Sequence, residues 1–78
     1  MKINAIAINS FAKWLVGGVP FESAKRIVAG LNDRDMTGEM KRGLALEELK
    51  ALGYSLAGFL MNLAIELAVA YMKEIGKK

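Results

Sequence analysis

The sequence predicts an all-α fold, a compact bundle of about four short helices in a single domain that spans residues 1–78. Apolar residues recur at intervals of three and four through most of the chain, which is the spacing of one helix face. A glycine pair, a proline and polar turns divide this pattern into four segments. No run of alternating apolar and polar residues is long enough to indicate a strand. A chain of this length has room for one core, so all four helices are expected to share it.

The first two predicted helices are separated by Gly17 and Gly18. Adjacent glycines weaken a helix and readily take the conformation of a C-cap, so helix one is predicted over residues 3–16. Helix two is predicted to begin at Pro20, a residue favoured in the first turn, and to end near residues 30–32. The stripe of helix one consists of Ile3, Ile6, Ala7, Phe11, Trp14 and Leu15, and that of helix two of Phe21, Ala24, Ile27, Val28 and Leu31.

The last two helices are predicted over residues 38–52 and 55–74. Thr37 is a suitable N-cap for helix three, Gly53 ends it, and Ser55 is a possible cap for helix four. The face of helix three consists of Met40, Leu44, Leu49 and Leu52. Helix four is apolar around its whole circumference, which is typical of a helix that is central in an assembly or embedded in lipid.

Two interpretations of helix four follow from this pattern. Its apolar stretch is close to the lower limit for crossing a bilayer, but Asn62 and Glu66 lie near its middle, where a charge is costly. We therefore expect a protein that self-associates through helix four and in which Glu66 pairs with a cation or a backbone donor, with membrane contact as the alternative. The residues expected at the contact between copies are Trp14, Phe59, Leu60, Leu63 and Leu67.

The composition supports self-association and removes several kinds of chemistry. The chain has no cysteine and no histidine, so disulfides, ordinary zinc sites and imidazole catalysis are excluded. Hydrophobic residues make up 54% of the chain, which is high for a small domain without cross-links. The first residues do not form a convincing signal peptide, because polar residues interrupt the apolar run. A cytoplasmic protein without a cofactor is expected.

Catalytic residues are not apparent in the sequence. Carboxylates and hydroxyls are scattered, and none forms a spacing that acid–base or nucleophilic chemistry requires. Glu47 and Glu48 are adjacent, so on a helix their side chains diverge by about 100°. The sequence therefore predicts a non-enzymatic protein.

A cluster of cations is the candidate binding site for an anionic ligand or partner. Its members are Lys25, Arg26, Arg34, Lys41 and Arg42. Arginine can bind phosphate or carboxylate through two parallel hydrogen bonds, and the N-terminus of helix three favours negative charge. Interleaved acidic residues nearly balance these cations, so a salt-bridged surface remains the other interpretation. The same acids make a nucleic-acid surface the least favoured function, although the net charge is +3.

Residues 37–73 resemble small helical proteins of bacteriophages. The sequence Thr37-Gly-Glu-Met-Lys-Arg, followed by residues 46–53 and then by Asn62-Leu-Ala-Ile-Glu-Leu-Ala-Val-Ala-Tyr-Met-Lys, is similar to the soluble half of LLH-type phage holins. Those holins have an N-terminal membrane segment, whereas residues 3–16 are too short to span. The resemblance implies a phage-encoded accessory protein that binds and blocks or sequesters a host protein or a small, nucleotide-like anion. The alternative is a membrane-active, holin-like protein that acts through helix four.

Overall fold

The computed structural model describes residues 4–76 and contains four α-helices in that range. They are α1 (Ala5–Val16), α2 (Gly18–Asn32), α3 (Gly38–Ala51) and α4 (Gly58–Ile75). The described residues contain no strand. Helix α4 packs against each of the other three, and α2 also contacts α1 and α3. The prediction of an all-α bundle of about four helices is therefore confirmed.

Local residues set most of the helix ends. The Asn4 side chain accepts a hydrogen bond from the backbone N–H of Ala7 at 2.8 Å, which caps α1. The hydroxyl of Thr37 accepts one from the N–H of Met40 at 3.2 Å and caps α3 as predicted. Gly53, just beyond α3, has φ +80°, the left-handed conformation that glycine adopts without a Cβ penalty. Ile3, which the helix-one prediction included, lies outside the described residues.

Two predicted helix starts were wrong. Helix α2 begins at Gly18, so Pro20 lies in the first turn, where a missing N–H costs no intrahelical bond. Helix α4 begins at Gly58, and Ser55 does not cap it. The segment before α4 makes a tight turn instead: the N–H of Leu56 donates to the carbonyl of Tyr54 at 2.9 Å, and the side chain of Leu56 packs against the core.

One hydrophobic core joins all four helices. Its largest fully buried side chains are Phe21, Leu49 and Ile65. Small residues occupy the positions where helices approach one another, and all of them are fully or almost fully buried: Ala12, Ala24, Ala45, Ala64 and Ala68. Alanine allows two helix backbones to come close together, so small side chains form much of the core.

The predicted core faces of α1 and α3 need correction. Ile6, Phe11 and Trp14 point outward, and α1 instead buries Ile8, Ala12 and Val16. On α3 the buried residues are Ala45 and Leu49, whereas the predicted Met40 and Leu52 are exposed. Both helices carry apolar residues on more than one side, so spacing along the chain does not specify which side the neighbouring helices cover. The predicted stripe of α2 is confirmed: Phe21, Ala24, Val28 and Leu31 are buried and Ile27 is half-buried.

Helix α4 has a polar outer surface. Asn62, Glu66 and Lys73 are exposed along it, while Ala64, Ile65 and Ala68 face the core. Glu66 pairs with a cation as expected: its Oε1 lies 3.4 Å from Nη2 of Arg42 on α3. Within residues 4–76, none of the helices has the length and apolar character needed to cross a membrane.

Candidate binding surfaces

The structure does not bring the five predicted cations together. Lys25 differs from the others because its side chain is largely buried between helices. Its Nζ donates to Asn9 Oδ1 at 2.8 Å and lies 2.9 Å from Glu22 Oε2. The same ammonium group lies over the rings of Phe21 and Tyr71, at 5.1 Å and 4.6 Å from their centroids. Lys25 therefore joins helices, and an external anion would have to displace these contacts.

The carboxylate next to Lys25 is held in its charged form. The hydrogen bond from Lys25 is the main reason that the pKa of Glu22 lies below its ordinary value, and burial opposes this effect only partly. The charge of Lys13 also lowers this pKa, since its Nζ lies 3.5 Å from the same Oε2. Glu22 thus links α2 to α1 through Lys13 and pairs with Lys25 within α2.

Arg26 and Arg34 line a groove between α2 and the end of α3, which we call the arginine groove. It has a volume of about 520 Å³. Its walls are Val19, Ser23, Arg26, Ile27, Gly30, Leu31, Arg34, Glu48, Leu52 and Tyr54. At its base the hydroxyls of Ser23 and Tyr54 form a hydrogen bond of 2.8 Å, which satisfies the buried Ser23. Within residues 4–76 neither guanidinium group has an ion-pair or hydrogen-bond partner.

Lys41 and Arg42 line a second groove, which is bounded by α2, α3 and α4 and has a volume of about 430 Å³. Both cations have partners in the chain. Lys41 donates to the backbone carbonyl of Asn32 at 3.2 Å, and Arg42 pairs with Glu66. The predicted cluster is thus divided into one lysine with a structural role, two free arginines in one groove and two engaged cations in another.

The outer side of α1 presents the second candidate surface, which we call the aromatic face. It comprises Ile6, Ala7, Ser10, Phe11 and Trp14, all of them exposed and none of them charged. Trp14 is 80% exposed and Phe11 52%. Their ring centroids lie 6.3 Å apart, so the two rings form one continuous apolar surface.

The other residues predicted at a contact between copies lie on α4 and have different environments. Leu60 and Leu67 are half-buried and pack against the core of their own chain. Leu63 is half-buried as well. Phe59, in the first turn of α4, is exposed. Of the five predicted contact residues, Trp14 and Phe59 therefore present most of their side chains to solvent.

Acidic side chains do not converge in the described part of the chain. No three of them between residues 4 and 76 lie close enough to hold a metal ion. Every buried side-chain nitrogen or oxygen in that range has a hydrogen-bond partner, so none is left directed into a cavity. The surfaces described here can bind a partner through apolar contact and charge.

Sequence reasoning missed the arginine groove because it grouped Arg26 and Arg34 with three cations that lie elsewhere. A usable signal was present in the spacing of Val19, Ser23, Ile27 and Gly30, which places these residues along one side of α2. The aromatic face had a signal too, since Ala7, Phe11 and Trp14 follow intervals of four and three. By itself, that spacing predicts a core stripe.

Comparison with known proteins does not assign a family. The chain matches no protein family, no curated protein sequence and no solved structure.

Proposed function

We propose that this protein is a small, non-enzymatic binding protein that self-associates through the aromatic face of α1 and acts by occupying the surface of another molecule. The observation that carries the proposal is the pair Phe11 and Trp14, two adjacent aromatic side chains left mainly in solvent. Together they expose on the order of 300 Å² of apolar surface. The largest apolar patch on a typical monomer has about this size and is often an interaction site.

A second copy of the chain fits this face for an electrostatic reason. The protein carries a net charge of +3, so most contacts between copies would bring like charges together. The aromatic face has no charged residue, and Lys13 at its margin is paired with Glu22. Pairing about a two-fold axis would place the two Trp14 rings against the opposite copy. Such a contact lies at the small end of known interfaces, so we expect a dimer that dissociates on dilution.

The resemblance of residues 37–73 to phage proteins supports the biological setting of the proposal. In that setting the protein is phage-encoded, acts in the cytoplasm of a bacterial host, and binds and blocks or sequesters a host component. The two free arginines of the arginine groove support an acidic or anionic target.

The proposal is tested by measuring mass and fluorescence over a range of concentrations. Trp14 is the only tryptophan, so its emission reports directly on the aromatic face. At high concentration, light scattering should give the mass of a dimer. The emission maximum of Trp14 should then lie at a shorter wavelength than in the dilute sample.

Two matched variants locate the contact, because both replace an exposed phenylalanine with glutamate and both keep Trp14. Phe11→Glu should give a monomer with red-shifted emission at every concentration. Phe59→Glu should leave the dimer intact. Dissociation by Phe59→Glu alone would place the contact on α4, and a wild-type monomer at every concentration would overturn the proposal.

A further inference from the structure

We propose that the arginine groove binds an acidic amphipathic helix of a partner protein. The groove lies between α2 and the end of α3, whereas the aromatic face lies on α1, so this proposal stands or falls independently of self-association.

The shape of the groove favours a helix. From Val19 to Leu31 it follows α2 for about 18 Å, which is the length of about three helical turns. Two of the apolar side chains that line it, Val19 and Leu52, are 67% and 53% exposed. The groove is therefore an open trough along the surface. A small ligand is normally enclosed over most of its surface, which this trough does not provide.

The backbone of the groove walls also selects against an extended peptide. Residues 19–31 belong to α2, whose backbone N–H and C=O groups are used within the helix. An extended segment would find no backbone partners there, while a helix satisfies its own backbone groups and needs only apolar contact. Ile27 and Leu31 would lie beneath such a helix, between the exposed Val19 and Leu52.

The charge of the groove specifies acidic residues on the bound helix. Arg26 lies near the middle of α2 and Arg34 in the turn that follows its last residue, so the two arginines are roughly two helical turns apart along the chain. Both guanidinium groups are free of ion pairs in residues 4–76. Carboxylates seven or eight residues apart on a helix have the matching separation, and arginine binds carboxylate in a bidentate geometry. Glu48 lies on the opposite wall of the groove, so its negative charge would repel an acidic residue of the bound helix placed next to it.

Gly30 makes the test specific. It lies in the wall between the two arginines, and a Cβ added there would meet no atom within 4 Å. A leucine at this position would therefore place its Cβ in open space and extend its side chain over the trough, and it would replace a weak helix former within α2. Gly43 is the matched control, because it lies within α3, has the same open surroundings and does not line the groove.

The experiment measures fluorescence anisotropy of a labelled helical peptide of about sixteen residues, with leucines on one face and two glutamates seven residues apart. The wild-type protein should bind it. Gly30→Leu should weaken binding at least tenfold, and Gly43→Leu should leave it unchanged. Arg26→Gln and Arg34→Gln should each weaken binding about two- to fivefold. A peptide with lysine in place of both glutamates should bind at least tenfold more weakly.

Three results would overturn the proposal. One is the absence of binding by the acidic peptide. Another is binding that Gly30→Leu and Gly43→Leu affect equally, because the peptide would then lie elsewhere. The third is that the protein binds a short alkyl carboxylate such as octanoate but does not bind the peptide, and that Gly30→Leu abolishes the binding of octanoate. The groove would then be a site for a small anion.

Discussion

The ammonium group of Lys25 lies 4.6 Å from the ring centroid of Tyr71, so a side chain from the middle of α2 is held over the C-terminal part of α4. The same group donates to Asn9 on α1. One cation thus connects three helices, and its position between them explains why a residue predicted to bind an anion has a structural role instead.

Replacing Lys25 should therefore destabilise the fold. Lys25→Met keeps most of the length of the side chain but removes the hydrogen bond to Asn9 and the interaction with the rings of Phe21 and Tyr71. We expect the free energy of unfolding to fall by about 1–2 kcal/mol in urea denaturation. Lys50→Met is the control: Lys50 is exposed and its side chain has no polar partner in residues 4–76, so the change should stay within about 0.5 kcal/mol. Equal effects of the two substitutions would contradict the structural role of Lys25.

The pairing of Glu22 with Lys25 should make stability depend on pH in the acid range. The pKa of Glu22 is lowered from 4.5 in the folded protein, so its contribution is fully present above that value. It is lost as the pH falls through the folded pKa, because protonation removes the attraction to both lysines. Urea midpoints of the wild type and of Glu22→Gln should therefore differ most near neutral pH and converge in acid.

The double variant provides the control for this pH dependence. In a Lys25→Met background, Glu22→Gln should change the urea midpoint less at neutral pH, since the main cause of the lowered pKa is gone. A difference between wild type and Glu22→Gln that stays constant over the whole pH range would show that Glu22 does not contribute through its charge.

The two adjacent glycines should respond differently to alanine. Gly17 has φ +98° and ψ 151°, a region that residues with a Cβ rarely adopt, and it joins α1 directly to α2. Gly17→Ala should lower the free energy of unfolding by about 1–3 kcal/mol. Gly18 is helical and has open space around it, so Gly18→Ala should leave stability unchanged or slightly higher. Thermal unfolding followed by circular dichroism distinguishes the two, and equal losses would contradict the positive φ angle of Gly17.

Two phenylalanines test the position of the core. Phe21 is fully buried and contacts Tyr71 edge to face, with ring centroids 6.4 Å apart. Phe21→Ala should lower the free energy of unfolding by about 3–5 kcal/mol, a large part of the stability of a domain this small. Phe59 is exposed, and Phe59→Ala should change stability by no more than about 0.5 kcal/mol. Chemical denaturation of dilute protein measures both, and a costly Phe59→Ala would mean that this ring is buried in solution.

The sequence was sufficient wherever local chemistry decides the structure. The hydroxyl of Thr37 and the glycines at positions 17 and 53 act within a few residues of themselves, so the boundaries they set were predictable. The start of α4 was not, because Ser55 follows Tyr54, whose hydroxyl bonds to Ser23 on a distant helix. That contact and the burial of Leu56 outweigh the capping preference of a serine.

Only the tertiary structure shows which face of each helix is buried. By itself the sequence determined four helices, the buried side of α2 and the absence of cysteine and histidine chemistry. It did not determine which side of α1 is covered, because both sides are apolar; close packing of the helices buried Ala12 and left Trp14 in solvent. The charges follow the same rule. Lys25 and Arg26 are neighbours in sequence, but a helix separates adjacent side chains by about 100°, so one joins three helices and the other lines an open groove.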